Sequence, residues 1–287
     1  MVISSPALRP DTGARRRIGG GAVVAAVAGV VLAGIVLLAV FPTALVQIDP
    51  LLTSPADALQ PPSAQHPFGT DQLGRDVFAR VVHGARTSLL LGLGAVLVSL
   101  TGGIVIGVLA GMSRGIVDRV LSRALDILFA FPDLLIAIVL IAILGVSLPT
   151  LIVAIGVGAI PGYARILRSQ VQVVRSAGYV EAATGVGVPG VLVAIRHVLP
   201  NSIGPLLVLA TIGIGTAIIS GAALSFVGLG AQPPTPEWGL MLSESRNYMA
   251  LAPWLGIWPG AFLAVTVVAI NVVGRWLQRR FVSGTGR

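Results

Sequence analysis

A chain of 287 residues of which 55% are hydrophobic and only 10% charged, with a mean hydropathy of +0.94, excludes a soluble globular domain and describes a polytopic membrane protein. The formal net charge of +8 does not point to nucleic acid, because the arginines stand in short groups beside apolar runs and not on one soluble face. Zero cysteine excludes disulfides and thiolate metal sites, and the absence of any lysine excludes the G-x-x-x-x-G-K-[ST] phosphate loop, so ATP hydrolysis by that route would belong to another polypeptide.

Apolar runs at 18–41, 88–111, 125–146, 148–164, 203–227 and 254–274 predict an all-α protein with six transmembrane helices. Most have the roughly 17–25 apolar residues needed to cross about 30 Å of hydrocarbon. Residues 1–17 form a Pro/Arg-rich tail. Arg15, Arg16 and Arg17 ahead of the first run look superficially like a secretory leader. A leader core has about 7–15 apolar residues and this run is about twice that, so it reads as an uncleaved anchor. With both termini in the cytosol, fifteen of the nineteen arginines fall on cytosolic segments, and only Arg75, Arg80, Arg86 and Arg246 fall outside. The positive-inside rule therefore supports six spans and places the loop 179–201 in the cytosol.

Residues 42–87 are extracytoplasmic on this topology. Their run from His66 to Arg80 reads HPFGTDQLGRDVFAR and continues through Gly84, Ala85, Arg86, Ser88 and Leu89. Gly69 and Gly74 punctuate turns, Asp71 is suited to bonding nearby backbone, and Asp76 is placed to pair with Arg75 or Arg80. This segment is either an ordered turn leading into an interfacial helix or a surface in direct contact with substrate. His66 and Asp71 supply two ligand types for a metal, but no third. In the second span Ser99, Gly103, Gly107 and Gly111 recur every four residues, a small-residue stripe that suits close helix packing.

Asp126 and Asp133 flank Phe131-Pro132 in the third span, seven residues apart and so on nearly one face of a continuous helix. A carboxylate at membrane depth is a functional candidate by default. Asp126, close to Arg123, reads as a charge held at the inner boundary, whereas Asp133 either lines a translocation path or is structurally paired. The fourth span, with Gly156, Gly158, Pro161 and Gly162, is expected to be short and irregular. Gly111-Met-Ser113-Arg-Gly115 matches the G-x-S-x-G pattern, but a nucleophile elbow needs a preceding strand and a glycine-striped span precedes it here. A channel or secondary transporter would need charges at a midplane site, and Asp133 alone clearly qualifies.

Residues 179–200 interrupt the apolar pattern with Glu181, Ala182 and Ala183, then three residues, Gly187, nine residues, and His197-Val-Leu199-Pro200. The alanines let another surface come close to the backbone, Gly187 permits a turn that a Cβ resists, and Pro189-Gly190 marks the expected start of a short helix. Residues 188–195, with Val191 and Ile195, are apolar outside the long spans, and such a face wants a partner. Farther on, AALSFVGLG at 222–230 and QPPTPEWG at 232–239 describe a small-residue helix end and a Pro-rich external turn, with Trp238 placed to anchor at the bilayer interface. That turn is either a rigid cap of the bundle or a gate.

The spacing at 181–200 resembles the EAA loop of ABC-importer permeases. The run from His66 to Leu89 resembles the segment HP-LGTD--GRD---R---G-R-SL of the dipeptide, oligopeptide and nickel type, and 222–239 resembles its EAALSFLGLG--PP-P-WG. Ala252-Pro253-Trp254, Trp258-Pro259-Gly260 and Asn271 also match. Two departures stand out: Gly221 occupies the place of a usual glutamate, and Arg275, Trp276 and Arg279 stand where relatives carry an acidic tail.

The resemblance implies a type I importer fold, with a five-helix core at 88–274 and a cytosolic tail at 275–287. It implies that Glu181, Ala182, Ala183, Gly187, Val191, Ile195, His197, Leu199 and Pro200 couple the chain to a motor. The implied partners are a homologous second permease, one or more cytosolic P-loop ATPases that bind the ATP and Mg, an extracytoplasmic solute-binding protein, and membrane lipid, with no nucleic acid. The chain itself would carry no cofactor or catalytic group, would lie in a bacterial inner membrane, and would carry dipeptides or short peptides.

Overall fold

The computed structural model describes residues 20–284; the expected tail at 1–17, the expected helix start at residue 18 and residues 285–287 lie outside the described residues. A first helix, α1 (Gly20–Val40), is apolar throughout and stops at Phe41-Pro42, where a short turn α2 (Pro42–Leu45) begins. An extended segment follows and leads into α3 (Val77–Met112), whose start is capped by Asp76 accepting from the Ala79 N–H. Then come α4 (Ile116–Ala130), α5 (Asp133–Leu144) and α6 (Leu148–Arg175). A compact turn region holds α7 (Gly178–Gly185), α8 (Gly190–Val193), a π turn (Ala194–Val198) and α9 (Leu199–Ser202). The chain returns through α10 (Gly204–Phe226), crosses a cap that contains α11 (Trp238–Ser245), and ends in α12 (Trp254–Gly284).

Among the described residues five helices are long and apolar enough to cross a membrane, or six when the pair α4 and α5, bent by 90°, is counted as one broken span. The expected continuous third span at 125–146 is corrected by this break. Pro132 disfavours helical geometry at Phe131 and ends α4 there. At 12 residues, α5 is about 18 Å long, too short to cross alone. Asp126 and Asp133 therefore sit on two different helices and share no face.

Three helices outrun their apolar stretches. The second begins at Val77, not residue 88, because its first turns are buried in the cap. The fourth is neither short nor irregular: α6 runs unbroken for 28 residues with Pro161 inside it, and its polar half is held by arginine pairs to α4. The stretch expected as a tail from 275 continues α12 as helix to Gly284.

The main core lies where α3 packs on α6. The small-residue stripe faces that seam: a Cβ on Gly103 would lie 2.5 Å from Tyr163 Cβ, and one on Gly107 would lie 2.8 Å from the Ala164 carbonyl oxygen. This close approach is what glycine at helical period permits. One end of the bundle carries 41–76 and 227–253 and is called the cap end; the other carries 178–202 and is called the loop end.

Candidate functional site

At the loop end, α7 carries Glu181, Ala182 and Ala183, and its termination is set by Gly187. The Gly187 N–H donates to the Thr184 carbonyl (3.0 Å) and the Val188 N–H to the Ala183 carbonyl (3.2 Å), the paired bonds of a Schellman turn. The turn needs a residue at positive φ, and Gly187 has φ +86°. Pro189 then starts α8 as expected, and the helical path continues through the π turn and α9.

The loop is seated by Val180, Val193 and Val198, all buried in the main core with Leu167, Val171 and Leu206. Its outward side carries Val186, 82% exposed, Val191, 73%, and Ile195, 59%. Glu181 and Ala182 are exposed, as are Gly187 and Pro200, while Ala183, His197 and Leu199 are half-buried. His197 meets Tyr179 edge-on at 6.5 Å between ring centres and links the two limbs. Of the nine expected coupling residues, Glu181, Ala182, Gly187, Val191, Ile195 and Pro200 are thus exposed, whereas Leu199 packs against the core.

Sequence reasoning missed Arg175, which it counted only as an inner-side charge. Its Nη1 donates to the carbonyls of Gly111 (3.0 Å), Met112 (3.1 Å) and Ser113 (3.2 Å), the free end of α3. The cation at a helix C-terminus satisfies orphan carbonyls and the macrodipole together, and it ties the entrance of the loop to α3. Ser113, of the G-x-S-x-G match, is thus the end of a helix and not an elbow after a strand.

Halfway along the bundle a cavity of about 480 Å³ opens between α3, α5, α6 and α10, and Asp133 lines it with Ser99, Tyr163, Thr216 and Ser220. Asp126 lies outside it and pairs with Arg165 at 2.9 Å, not with Arg123.

The cap end holds a buried ionic cluster. Asp71 accepts from Arg75 Nε (2.6 Å) and Arg80 Nη1 (2.9 Å), and Glu244 of α11 accepts from Arg80 Nη2 (2.8 Å). Asp76 pairs with neither arginine: it caps α3 and meets His66 Nδ1 at 2.8 Å. His66 and Asp71 are thereby committed to separate protein partners. Trp238 is fully buried, with its indole N–H donating to the Val81 carbonyl (2.9 Å), so it locks α11 to α3 and does not sit at a bilayer interface. Glu237 caps α11 and accepts from the Ser88 hydroxyl. Within the cap end these charged groups and Trp238 are engaged by the protein itself, while Leu52, Val227 and Leu251 remain exposed.

Residues 103–287 match the model of the binding-protein-dependent transport system inner membrane component family. The chain belongs to that family. A dipeptide transport system permease protein of Alkalihalophilus pseudofirmus is 42% identical over 249 residues, covering 87% of this chain and 82% of the relative. Glutathione transport system permease proteins of Pectobacterium atrosepticum and Escherichia coli O157:H7 are 42% identical over 217 residues, covering 76% of this chain and 72% of theirs. Among solved structures, a chain of an inward-facing methionine ABC transporter superposes with TM-score 0.56 at 22% identity, covering 72% of this chain and 97% of that one. A chain of an amino acid ABC transporter superposes with TM-score 0.54 at 17% identity, covering 71% and 94%.

The fold is that of an ABC-importer permease, and the chain is a permease subunit of such an importer. At Gly221 α10 and α3 are closely packed: a Cβ there would lie 2.3 Å from Leu91 Cδ2. Leu91 of α3 fills the space that a larger residue on α10 would occupy.

Proposed function

We propose that this permease forms half of the translocation path of an ATP-driven importer of dipeptides or other short peptides, and that its loop at 179–201 docks on a cytosolic ATPase. The observation that carries the reading is the apolar display of Val186, Val191 and Ile195 on a loop whose other valines are buried anchors. Exposed apolar side chains on one loop with the exposed Glu181 and Arg196, at the water-facing end of a membrane protein, suit a partnered element. On this reading the loop end and both termini face the cytosol of a bacterium, as fifteen of nineteen arginines favour, and the cap end faces outward beneath a solute-binding protein.

ATP and Mg belong to the ATPase, and a homologous second permease closes the path opposite the cavity. The names of the dipeptide and glutathione permeases it resembles support peptide-like cargo. When the motor closes, it pushes on α7 and α8. The push reaches α6 directly and α3 through Arg175, so two of the helices that line the cavity rock together.

The test is mass spectrometry of what co-purifies with the tagged chain from its host membranes in mild detergent. A second permease and a P-loop ATPase are expected, and a bound solute-binding protein would name the substrate to assay. A lone homo-oligomer would overturn the reading in favour of a channel or secondary transporter.

A further inference from the structure

The three carboxylates on α4 and α5 are treated differently. Asp118 pairs with Arg168 at 2.9 Å and Asp126 with Arg165 at 2.9 Å. Asp133 accepts only the N–H of Leu134, at 2.9 Å, and makes no ion pair among the described residues. It is exposed to the cavity of about 480 Å³, whose lining contains hydroxyls and apolar groups but no Arg, Lys or His. Among the described residues, the only formal charge in the cavity lining is therefore negative.

Its depth adds to the argument. The start of α5 is held against α6 at Gly158, where a Cβ would lie 2.8 Å from the Asp133 carbonyl oxygen. Gly158 is about 15 Å along α6 from its cap end, near the middle of the bundle. A carboxylate there is unfavourable unless water and a counter-cation reach it. Arginine answers that need for Asp118 and Asp126, whereas among the described residues Asp133 has only the N-terminal amides of α5 and no cationic side chain.

We propose that Asp133 is the transit counter-ion for the ammonium group of the permeating substrate, such as the α-amino group of a short peptide. This rests on reading the chain as a peptide permease. An ammonium brings three donors, and the hydroxyls of Ser99, Tyr163, Thr216 and Ser220 stand in the same cavity to accept those that Asp133 leaves free. The apolar remainder, including Phe131 and Ile155, holds side chains without reading them. A single ion contact in a watery cavity is weak enough to release its cargo.

The test uses the absence of cysteine from this chain. Thr216→Cys, at an exposed position in the cavity wall, is labelled in the assembled transporter with methanethiosulfonate reagents, one carrying trimethylammonium and one sulfonate. The ratio of cationic to anionic rates is expected to fall at least about threefold when Asp133→Asn is added, the size set by one unit charge acting over several ångströms. It should recover in Asp133→Glu. Alanyl-alanine should slow labelling by the cationic reagent, and N-acetyl-alanyl-alanine should not. A ratio indifferent to Asp133→Asn overturns the proposal, and so does equal protection, or none, from the two dipeptides. Absence of an ATPase from the purified complex would instead defeat the ATP-driven reading, which the rate ratio does not depend on.

Discussion

The cap end and the loop end are built from the same kinds of residue, turn glycines, prolines, a few charges and exposed-looking apolar positions, and yet they are finished differently. At the cap, Asp71, Arg75, Arg80 and Glu244 pair with one another, with Arg75 and Arg80 almost wholly buried and Arg75 Nη2 left without a hydrogen bond, and Trp238 has both its ring and its N–H occupied. At the loop, Glu181 has no ion pair among the described residues and Val186, Val191 and Ile195 face outward. Buried, mutually paired charges serve as scaffold, and an unpaired charge beside exposed apolar groups waits for another molecule. Substitutions at the cap should therefore act through folding, and those at the loop through partnership.

The largest effect on stability is expected from Arg80→Ala. It takes one of the two arginines from the buried Asp71 and the 2.8 Å partner from Glu244, and breaking a buried ion pair from one side costs about 3–5 kcal/mol. The complex should lose its thermal transition or shift it far down in detergent, with uptake falling in parallel. Unchanged stability would mean the cluster is not the scaffold.

Arg175→Gln comes next, at roughly 1.5–3 kcal/mol for lost charge-assisted hydrogen bonds. Because Arg175 joins the loop's entrance to the last carbonyls of α3, substrate-stimulated ATPase activity should fall more than assembly does. Equal losses in both would reduce Arg175 to a structural cap.

Much of this organisation was legible in sequence, and the misses have particular causes. Apolar length located the spans, and the period of Ser99, Gly103, Gly107 and Gly111 located the α3–α6 seam, because both signals are local. The break at Phe131-Pro132 carried a local signal too, since a residue before proline leaves helical geometry, but hydropathy runs smoothly across it. Arg80 and Trp238 were misread for a different reason. Their partners, Glu244 and Val81, lie 164 and 157 residues away in the chain, and only folding brings them together. At the loop, the Schellman turn follows from Gly187 and its neighbours, whereas the inward set Val180, Val193 and Val198 cannot be told from the outward set by composition.

Gly187→Trp should cost about 1–2 kcal/mol, since an L-residue is strained at its φ of +86°. Nothing lies within 4 Å of a Cβ built there, so the side chain would project into the space a partner needs. Membrane insertion should persist while uptake is lost. Normal uptake would sink the docking reading.

Val191→Asp with Ile195→Asp should have the smallest effect on the chain itself and still sharpen the contrast most. Both side chains are mainly exposed, and surface substitutions of this kind usually stay within about 0.5 kcal/mol. Protease resistance of the permease in membranes should match the parent. Docking is another matter: two carboxylates on the apolar face would have to be desolvated against the partner, which opposes association strongly. The ATPase should therefore disappear from the purified complex while the second permease remains. If the ATPase stays bound, the exposed valines and isoleucine face lipid or another subunit, and this end has a different occupant.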